Sequence, residues 1–303
     1  MKEIVKDVYI VKPYDPNIID CCVYLIDTKS EDGLILIDAG INFEPIQEIE
    51  KEGFKLNDIK HCLITHGHLD HFGVCHRLRE FNNDIKFYAH ELDAERIEKK
   101  PAVPSPNPFY ANYKYEPIKI SKRITLDNEI LRFGDLQFQC IHIPGHTPGS
   151  IAYLLEKEGN TILFAGDVPG VAINLNDGNN DKYVKSMRKL LTFHIDILCE
   201  GHEKIIKSTD RVSNNIRGYM NFNKTLNYLI FEDPSDKKAI LDMINISYDL
   251  EWYDMALDSC NYLLKIDPNN NELQPMIKRI KMHNPSDIGY INGLITQVYG
   301  GKA

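Results

Sequence analysis

Two rhythms of apolar and polar positions divide the 303-residue chain. Through the first two-thirds, short apolar runs stop at turn residues: "VYIVKPY", "CCVYLIDT", "LILIDAG" after the turn "EDG", "IKHCLITH" and "IKFYAH". Runs of that length, rich in Val, Ile and Tyr and bounded by Gly, Asp and Pro, predict buried strands. Between them the spacing turns helical, with Ile46, Ile49 and Phe54 along "FEPIQEIEKEGF". "LDHFGVCHRLREF" predicts a helix opening on Asp70, a residue suited to a helix start, and "ELDAERIEKK" a short charged helix. A second block repeats the grammar. "ITLDNEILRFGDLQFQCIHIPG" predicts a hairpin and a strand, "SIAYLLEKEGNTILFAGD" two strands about a Gly-Asn turn, "VKSMRKLLTF" a helix and "IDILCEGH" a last strand. Strands and helices alternating in two comparable blocks predict a sheet core covered by helices on both outer faces.

After about residue 208 the strand signal stops. Tyr219, Phe222, Leu226 and Ile230 recur at three- and four-residue steps, and residues 233–273 predict two antiparallel helices. "WYDMALDSCNYLLKIDPNN" resembles the second half of a tetratricopeptide unit; one unit is too few for a solenoid, and an ordinary helical hairpin packed on the main domain explains it equally well. The division expected is therefore 1–207 and a helical 208–303, with too little pattern in "GYINGLITQVYGGKA" to place. Two stretches break the rhythm. Residues 99–118 hold five prolines and the aromatics Phe109, Tyr110, Tyr113 and Tyr115, and 174–181 is a polar, turn-rich loop. A long aromatic loop predicts a lid or pocket wall, with Phe109, Tyr110 and Tyr113 lining a substrate entrance.

Charge narrows the function. Lys and Arg total 35 against 44 Asp and Glu, a formal −9, which speaks against a basic nucleic-acid face. No apolar run approaches the ~20 residues that span a bilayer, so no membrane partner is expected. The first residues, "MKEIVKDVYIVKPYDP", alternate where a signal peptide would be continuously apolar. Seven cysteines without a CxxC pair predict reduced, buried thiols in a cytoplasmic protein.

The histidines change the picture. Of 11 in the chain, three fall with an aspartate inside "THGHLDH": His66, His68, Asp70 and His71. Further along, His146 follows a strand in "HIPGHTPGS", Asp167 ends another in "LFAGD", His202 a third in "LCEGH", and Asp38 an earlier one in "LILIDAG". Each polar residue stands where an apolar strand stops, so one sheet edge can present them all to a common site. Neutral imidazoles and carboxylates are what Zn²⁺ and similar borderline cations take as ligands, at ~2.0–2.2 Å.

"THGHLDH" with "GHTPGS", "AGD" and "GH", in that order over about residues 7 to 205, resembles the metallo-β-lactamase-fold hydrolase superfamily. The resemblance implies an α/β fold, an αβ/βα sandwich of two mixed β-sheets, here with a C-terminal helical extension. It implies two divalent ions, zinc first and iron or manganese as the other candidates. His66, His68 and His146 would hold one; Asp70, His71 and His202 the other; Asp167 would bridge them, and Asp38 would orient ligands from behind. A hydroxide shared by the two metals is the nucleophile such a site implies, with Asp70 relaying its proton to the leaving group.

The bridging Asp167 points to the branches that cleave small esters, thioesters or lactones, glyoxalase II among them, although Ser150 stands where many of those carry a second histidine. A small-molecule substrate is therefore expected, with specificity in the 99–118 and 174–181 loops and the helices after 208. A persulfide dioxygenase is the rival enzyme: there only the equivalents of His66, His146 and Asp167 hold a single iron. A non-enzymatic adaptor docking, or dimerising, through its C-terminal helices is the third reading, and the complete ligand set argues against it.

Overall fold

The structure, a computed structural model, describes residues 1–13, 15, 20–99, 113, 115–172, 174–175, 177–286 and 288–299. Among them, strands form two mixed sheets. In the first, β1 (Lys2–Val5), β2 (Val8–Lys12), β3 (Val23–Asp27) and β4 (Leu34–Ile37) run antiparallel; β5 (Ile59–Leu63), β6 (Lys86–His90) and β7 (Lys122–Ile124) then add in parallel, so spatial order follows the chain. In the second, β8 (Glu129–Phe133), β9 (Leu136–His142), β10 (Ile151–Lys157) and β11 (Asn160–Phe164) form an antiparallel meander. Strand β12 (Ile197–Cys199) joins β11 in parallel and β13 (Ile206–Lys207) closes the edge.

Parallel neighbours need crossovers, and the helices supply them. α1 (Glu44–Lys51) links β4 to β5; α2 (Leu69–Phe72) and α3 (Cys75–Leu78) link β5 to β6; α4 (Glu91–Glu98) precedes β7; α5 (Asn180–Leu190) lies between β11 and β12. The strands carry apolar side chains on both faces. On β4, Ile35 and Ile37 pack with Phe138, Tyr153 and Phe164 between the sheets, whereas Leu34 and Leu36 pack outward with Ile46 and Ile49 of α1. A strand buried on both sides reads as an unbroken apolar run, which is why "LILI" shows no alternation. The layers are helix, sheet, sheet, helix, as the sandwich expectation requires.

The outermost layer on the second sheet is shared. α6 (Thr209–Phe231) packs Val212, Ile216 and Tyr219 beside α5, and its later turns put Phe222, Leu226, Leu229 and Ile230 into a second core with α7 (Lys237–Asp249) and α8 (Tyr253–Ile266). α9 (Leu273–Lys281) and α10 (Tyr290–Tyr299) complete that core. The last of these lies where the sequence pattern predicts nothing: Ile291 is fully buried and its N–H donates to Asp258 Oδ2 at 2.7 Å, so tertiary packing decides its conformation. No helix of the described residues is long and apolar enough to cross a membrane.

One expected helix is corrected. The run from Leu69 opens one residue earlier than Asp70, with His68 in the extended N-cap position, and it breaks into α2 and α3. Gly73 N–H closes α2 on Leu69 O at 2.7 Å, but the next N–H, Val74, turns to Gly40 O at 3.1 Å. A neighbouring loop has taken the donor that would have continued the helix.

Two histidines outside the site are held neutral by the fold. Burial pushes His61 and His90 down to about 4, with Asp32 opposing this at His61 and the stacked His142 ring reinforcing it at His90. Between the unfolded value near 6.5 and 4 the unfolded chain binds more protons, so these groups make stability fall as pH falls through that window. His61→Gln removes one of them. Its stability relative to the parent should rise steadily from pH 6.5 to 4, read from paired urea midpoints; a constant difference would mean that the ring is charged in the fold.

Candidate metal centre

The carboxyl ends of β4, β5, β9, β11 and β12 meet at one edge of the sandwich, and each delivers a polar residue within a few positions of its last apolar one. Asp38 follows β4 with φ of 56°, a left-handed backbone that aspartate tolerates. Its acceptors are committed: Oδ1 to Thr65 N–H at 2.8 Å, Oδ2 to Thr65 O–H and to His71 Nδ1–H, both at 2.8 Å. A carboxylate behind Nδ1 fixes the His71 tautomer and leaves the Nε2 lone pair facing inward.

Two further rings are fixed from behind. His66 Nδ1 lies 3.2 Å from Thr65 Oγ1, whose own hydrogen goes to Asp38, so the ring is the donor. His146 Nδ1–H donates to Val171 O at 3.2 Å. The Nε2 atoms of both rings therefore carry lone pairs. They converge on His68 Nδ1 at 3.0 and 2.9 Å, and Asp167 Oδ2 stands 3.2 Å from His146 Nε2 and 3.8 Å from His66 Nε2. His68 Nδ1 has one proton at most to offer two acceptors. Three nitrogens and a carboxylate oxygen at this separation suit a cation at their centre.

The other oxygen of Asp167 serves a second group. Oδ1 lies 3.1 Å from His71 Nε2 and 3.5 Å from His202 Nε2, while Asp70 Oδ2 lies 3.1 Å from His202 Nε2 and 3.9 Å from His71 Nε2. His71 Nε2 and Asp167 Oδ1 are both buried and both without a hydrogen bond. Orphaned buried acceptors are costly, and a divalent cation is the group that would satisfy both. The donor sets His66, His68, His146, Asp167 and Asp70, His71, His202 each close to within 4.8 Å.

The electrostatics put His66, His68, Asp70 and Asp167 in their ligating forms. Burial holds His66 well below the ordinary imidazole range, helped by His71, and holds His68 down to about 3, helped by His146. At His71 and His202 burial works the same way but is outweighed, at His71 by Cys21, Asp167 and Asp38, and at His202 by Asp167 and Asp70, so both move upward. Burial would raise Asp70 and Asp167, yet the imidazoles around them win: Asp70 sits at about 2 and Asp167 well below its usual range. Ionised Asp70 and Asp167 thus stand beside the inward lone pairs of His66 and His146.

All eight residues expected at the site, Asp38 included, are brought together. Phe109 and Tyr110 lie outside the described residues; Tyr113 is 36% exposed. Tyr115 closes edge-on over Phe72 of α2, at 6.3 Å between ring centroids, so the end of the aromatic loop rests on the helix that carries Asp70 and His71. Ser150 is turned inward, its Oγ accepting from Thr147 N–H at 3.1 Å. Cys21 lies among Asp38 and His71, a neighbour that the adjacent pair "CC" did not disclose.

The residue that sequence reasoning missed is Asp93. It lies on α4, read as a charged surface helix, and is fully buried. Its Oδ2 accepts from Gly67 N–H at 2.8 Å and Thr147 O–H at 2.6 Å, and its Oδ1 from Gly149 N–H at 2.8 Å. One carboxylate thereby ties the loop of His66 and His68 to the loop of His146. The available signal is its spacing: Asp93, Ala94 and Ile97 share the buried face of α4.

A family model described as the metallo-beta-lactamase superfamily matches residues 19–202. An uncharacterized protein of Aquifex aeolicus is 33% identical over 200 residues, 60% of this chain and 82% of its own length. The hydroxyacylglutathione hydrolase GloC of Haemophilus influenzae is 29% identical over 174 residues, 55% of this chain and 78% of its own. Among solved structures, BJP-1, a subclass B3 metallo-beta-lactamase of Bradyrhizobium japonicum, superposes with a TM-score of 0.55 at 22% identity, over 66% of this chain and 76% of that one.

Asp93→Asn tests the tie between the loops. Either orientation of the amide turns an N–H₂ toward a donor, Gly149 N–H in one and Gly67 N–H with Thr147 O–H in the other, so at least one buried N–H loses its acceptor. The expected cost is ~1–3 kcal/mol for stranded buried donors, read as a lower melting temperature, together with less bound metal after reconstitution. An unchanged melting temperature would show that the loops hold themselves.

Proposed function

Because the chain belongs to the metallo-beta-lactamase superfamily, a family of metal-dependent hydrolases, we propose that it is a binuclear hydrolase of small thioesters or esters. The observation that carries this reading is the carboxylate of Asp167, one oxygen facing each donor set. His66, His68 and His146 would hold one ion, Asp70, His71 and His202 the other, with Asp167 between them; zinc suits these borderline nitrogen and oxygen donors. Such ions supply Lewis acidity and bring the pKa of water toward neutrality.

The chain's own residues do the rest. Asp70, held ionised, is the group placed to take a proton and return it to a leaving thiolate or alkoxide. Asp38, Thr65 and Val171 O keep three imidazoles in the tautomer whose Nε2 points inward. A cleft of about 1000 Å³ runs from Gly170, Val171 and Glu203, beside the ligand loops, to Tyr219, Phe222 and Trp252, and suits the part of a substrate remote from the scissile bond. The thioester class is favoured by the hydroxyacylglutathione hydrolase among the relatives. Likeness to the B3 lactamase, at 22% identity, bears on fold alone.

Elemental analysis of protein purified without added metal should find about two divalent ions per chain, predominantly zinc, and a panel of S-acyl thioesters, esters and lactones should include a substrate whose turnover chelation abolishes and zinc restores. One iron per chain, with oxygen consumed on a persulfide, would overturn the reading in favour of a dioxygenase; failure to take up any metal would favour an adaptor. Asp38→Asn keeps a residue that tolerates this backbone but turns an N–H₂ either toward Thr65 N–H or toward Thr65 O–H and His71 Nδ1–H. It should weaken zinc binding ~10–100-fold by chelator competition, with a parallel loss of activity. Undiminished affinity would remove Asp38 from its orienting role.

A further inference from the structure

We propose that the C-terminal helices are a positioning clamp for the metal centre, in which Tyr219, Asn223 and Trp252 set the two loops that carry His202 and that buttress His146. The inference rests on the reading of the centre as metal-binding, not on the substrate class.

His202 lies in the segment 200–203 after β12. The backbone at Gly201 packs directly on the site, where a Cβ would stand 2.5 Å from Asp167 Oδ1 and 2.8 Å from His71 Cε1. Backbone bonds fix Gly201 itself, whose N–H donates to Gly166 O at 2.8 Å and whose carbonyl accepts from Cys22 N–H at 2.6 Å, and the two glutamates that flank Gly201–His202 are held in addition from the helical side. Tyr219 O–H of α6 donates to Glu200 Oε2 at 3.2 Å, and Trp252 Nε1–H, at the turn into α8, donates to Glu203 Oε1 at 2.7 Å. The two donors are locked to one another. Their rings stack at 5.4 Å with 12° between planes, Phe222 meets Trp252 edge-on at 5.1 Å, and Asn215 Nδ2 donates to the Tyr219 oxygen at 3.2 Å, which turns its hydrogen to Glu200.

The same helix face holds the second loop. One turn after Tyr219, Asn223 accepts from Ala172 N–H at 2.7 Å through Oδ1, and its amide donates to Gly170 O at 3.3 Å. Between these lies Val171, whose carbonyl receives the His146 Nδ1–H. One turn further, Asn227 Oδ1 accepts from Asn174 N–H at 3.1 Å. Asn223 is fully buried on a helix flank where an apolar residue would pack without such demands. Its side-chain bonds go to that loop and to the Tyr219 carbonyl, at 3.1 Å, so its burial is explained by what it holds. Residues 219, 223 and 227 are a polar stripe in an otherwise packed helix, aimed at the backbone of the ligand loops.

Trp252 is the only tryptophan in the chain, so its emission reports on the clamp. The full-length protein, stripped with a chelator and titrated with zinc, should change tryptophan emission as the ion held by Asp70, His71 and His202 binds. Tyr219→Phe keeps Trp252 and the stack but deletes the bond to Glu200. It should retain its far-UV spectrum and bind zinc about tenfold more weakly in chelator competition. If that variant fails to fold, Trp252→Phe gives the same affinity comparison. Zinc affinities equal to the parent in whichever variant folds, or emission blind to zinc while elemental analysis finds the metal bound, would overturn the clamp. A parent that binds zinc with the emission change, yet hydrolyses nothing in the panel, would overturn the substrate reading and leave the clamp supported.

Discussion

The carboxylate of Asp167, buried between two sets of imidazoles, sets the terms for everything built around it. Five histidine rings and two aspartates occupy a volume in which lone pairs face lone pairs at about hydrogen-bond distance: His66 and His146 across His68 Nδ1 at 3.0 and 2.9 Å, His71 across Asp167 at 3.1 Å. Left to local preferences these groups would turn to water or to each other's protons. They are kept in place because strands buried on both faces end a few residues away, and the intervening loops are short. The sandwich is a means of holding these polar groups at the fixed separation that a metal-binding site requires.

Holding them takes a commitment on the far side of the rings. His71 is tied to Asp38, His66 to Thr65, and His146 to Val171 O. Behind those stand Asp93, which joins two loops through three donors, and Gly201, which allows Asp167 and His71 to approach closer than any side chain would permit. Each such bond selects a tautomer as well as an orientation. A ring pushed well below its usual pKa, such as His66, thus keeps its lone pair aimed inward, as metal binding there would require.

This division of labour explains what could be read from the chain alone. Residues that face the cation must be histidine or aspartate and must follow strands, so His66, His68, Asp70, His71, His146, Asp167 and His202 stand out by chemistry and by position. Strands covered on both sides must be apolar throughout, so "LILI" and "AYLL" are visible too. Asp38 sits one residue past its strand and was legible for the same reason. What supports these residues from behind is constrained only to offer an acceptor or donor at one point in space. Asp93 does so from a helix rich in charge, and nothing in "ELDAERIEKK" separates it from its exposed neighbours except a shared face with Ala94 and Ile97. The break between α2 and α3 was likewise invisible, since it depends on the Gly40 carbonyl, which is distant in sequence, taking the Val74 N–H.

The helical segment follows the same logic one layer out. A module appended for docking would meet the sandwich through an apolar face and leave the ligand loops to themselves. α6 instead contributes Val212 and Ile216 to the outer core of the second sheet and, in its next turns, sends Tyr219, Asn223 and Asn227 to loop backbone and loop carboxylates. Phe222 and Leu226, between them on the helix, belong to the core of α7 and α8. A single helix thus connects the packing of the C-terminal core to two of the loops beside the site, those after β11 and β12. Loops so held need not be rigid in themselves, which frees residues such as Glu203 and Val171 to line the cleft beside the metal centre while their backbone stays in register with it.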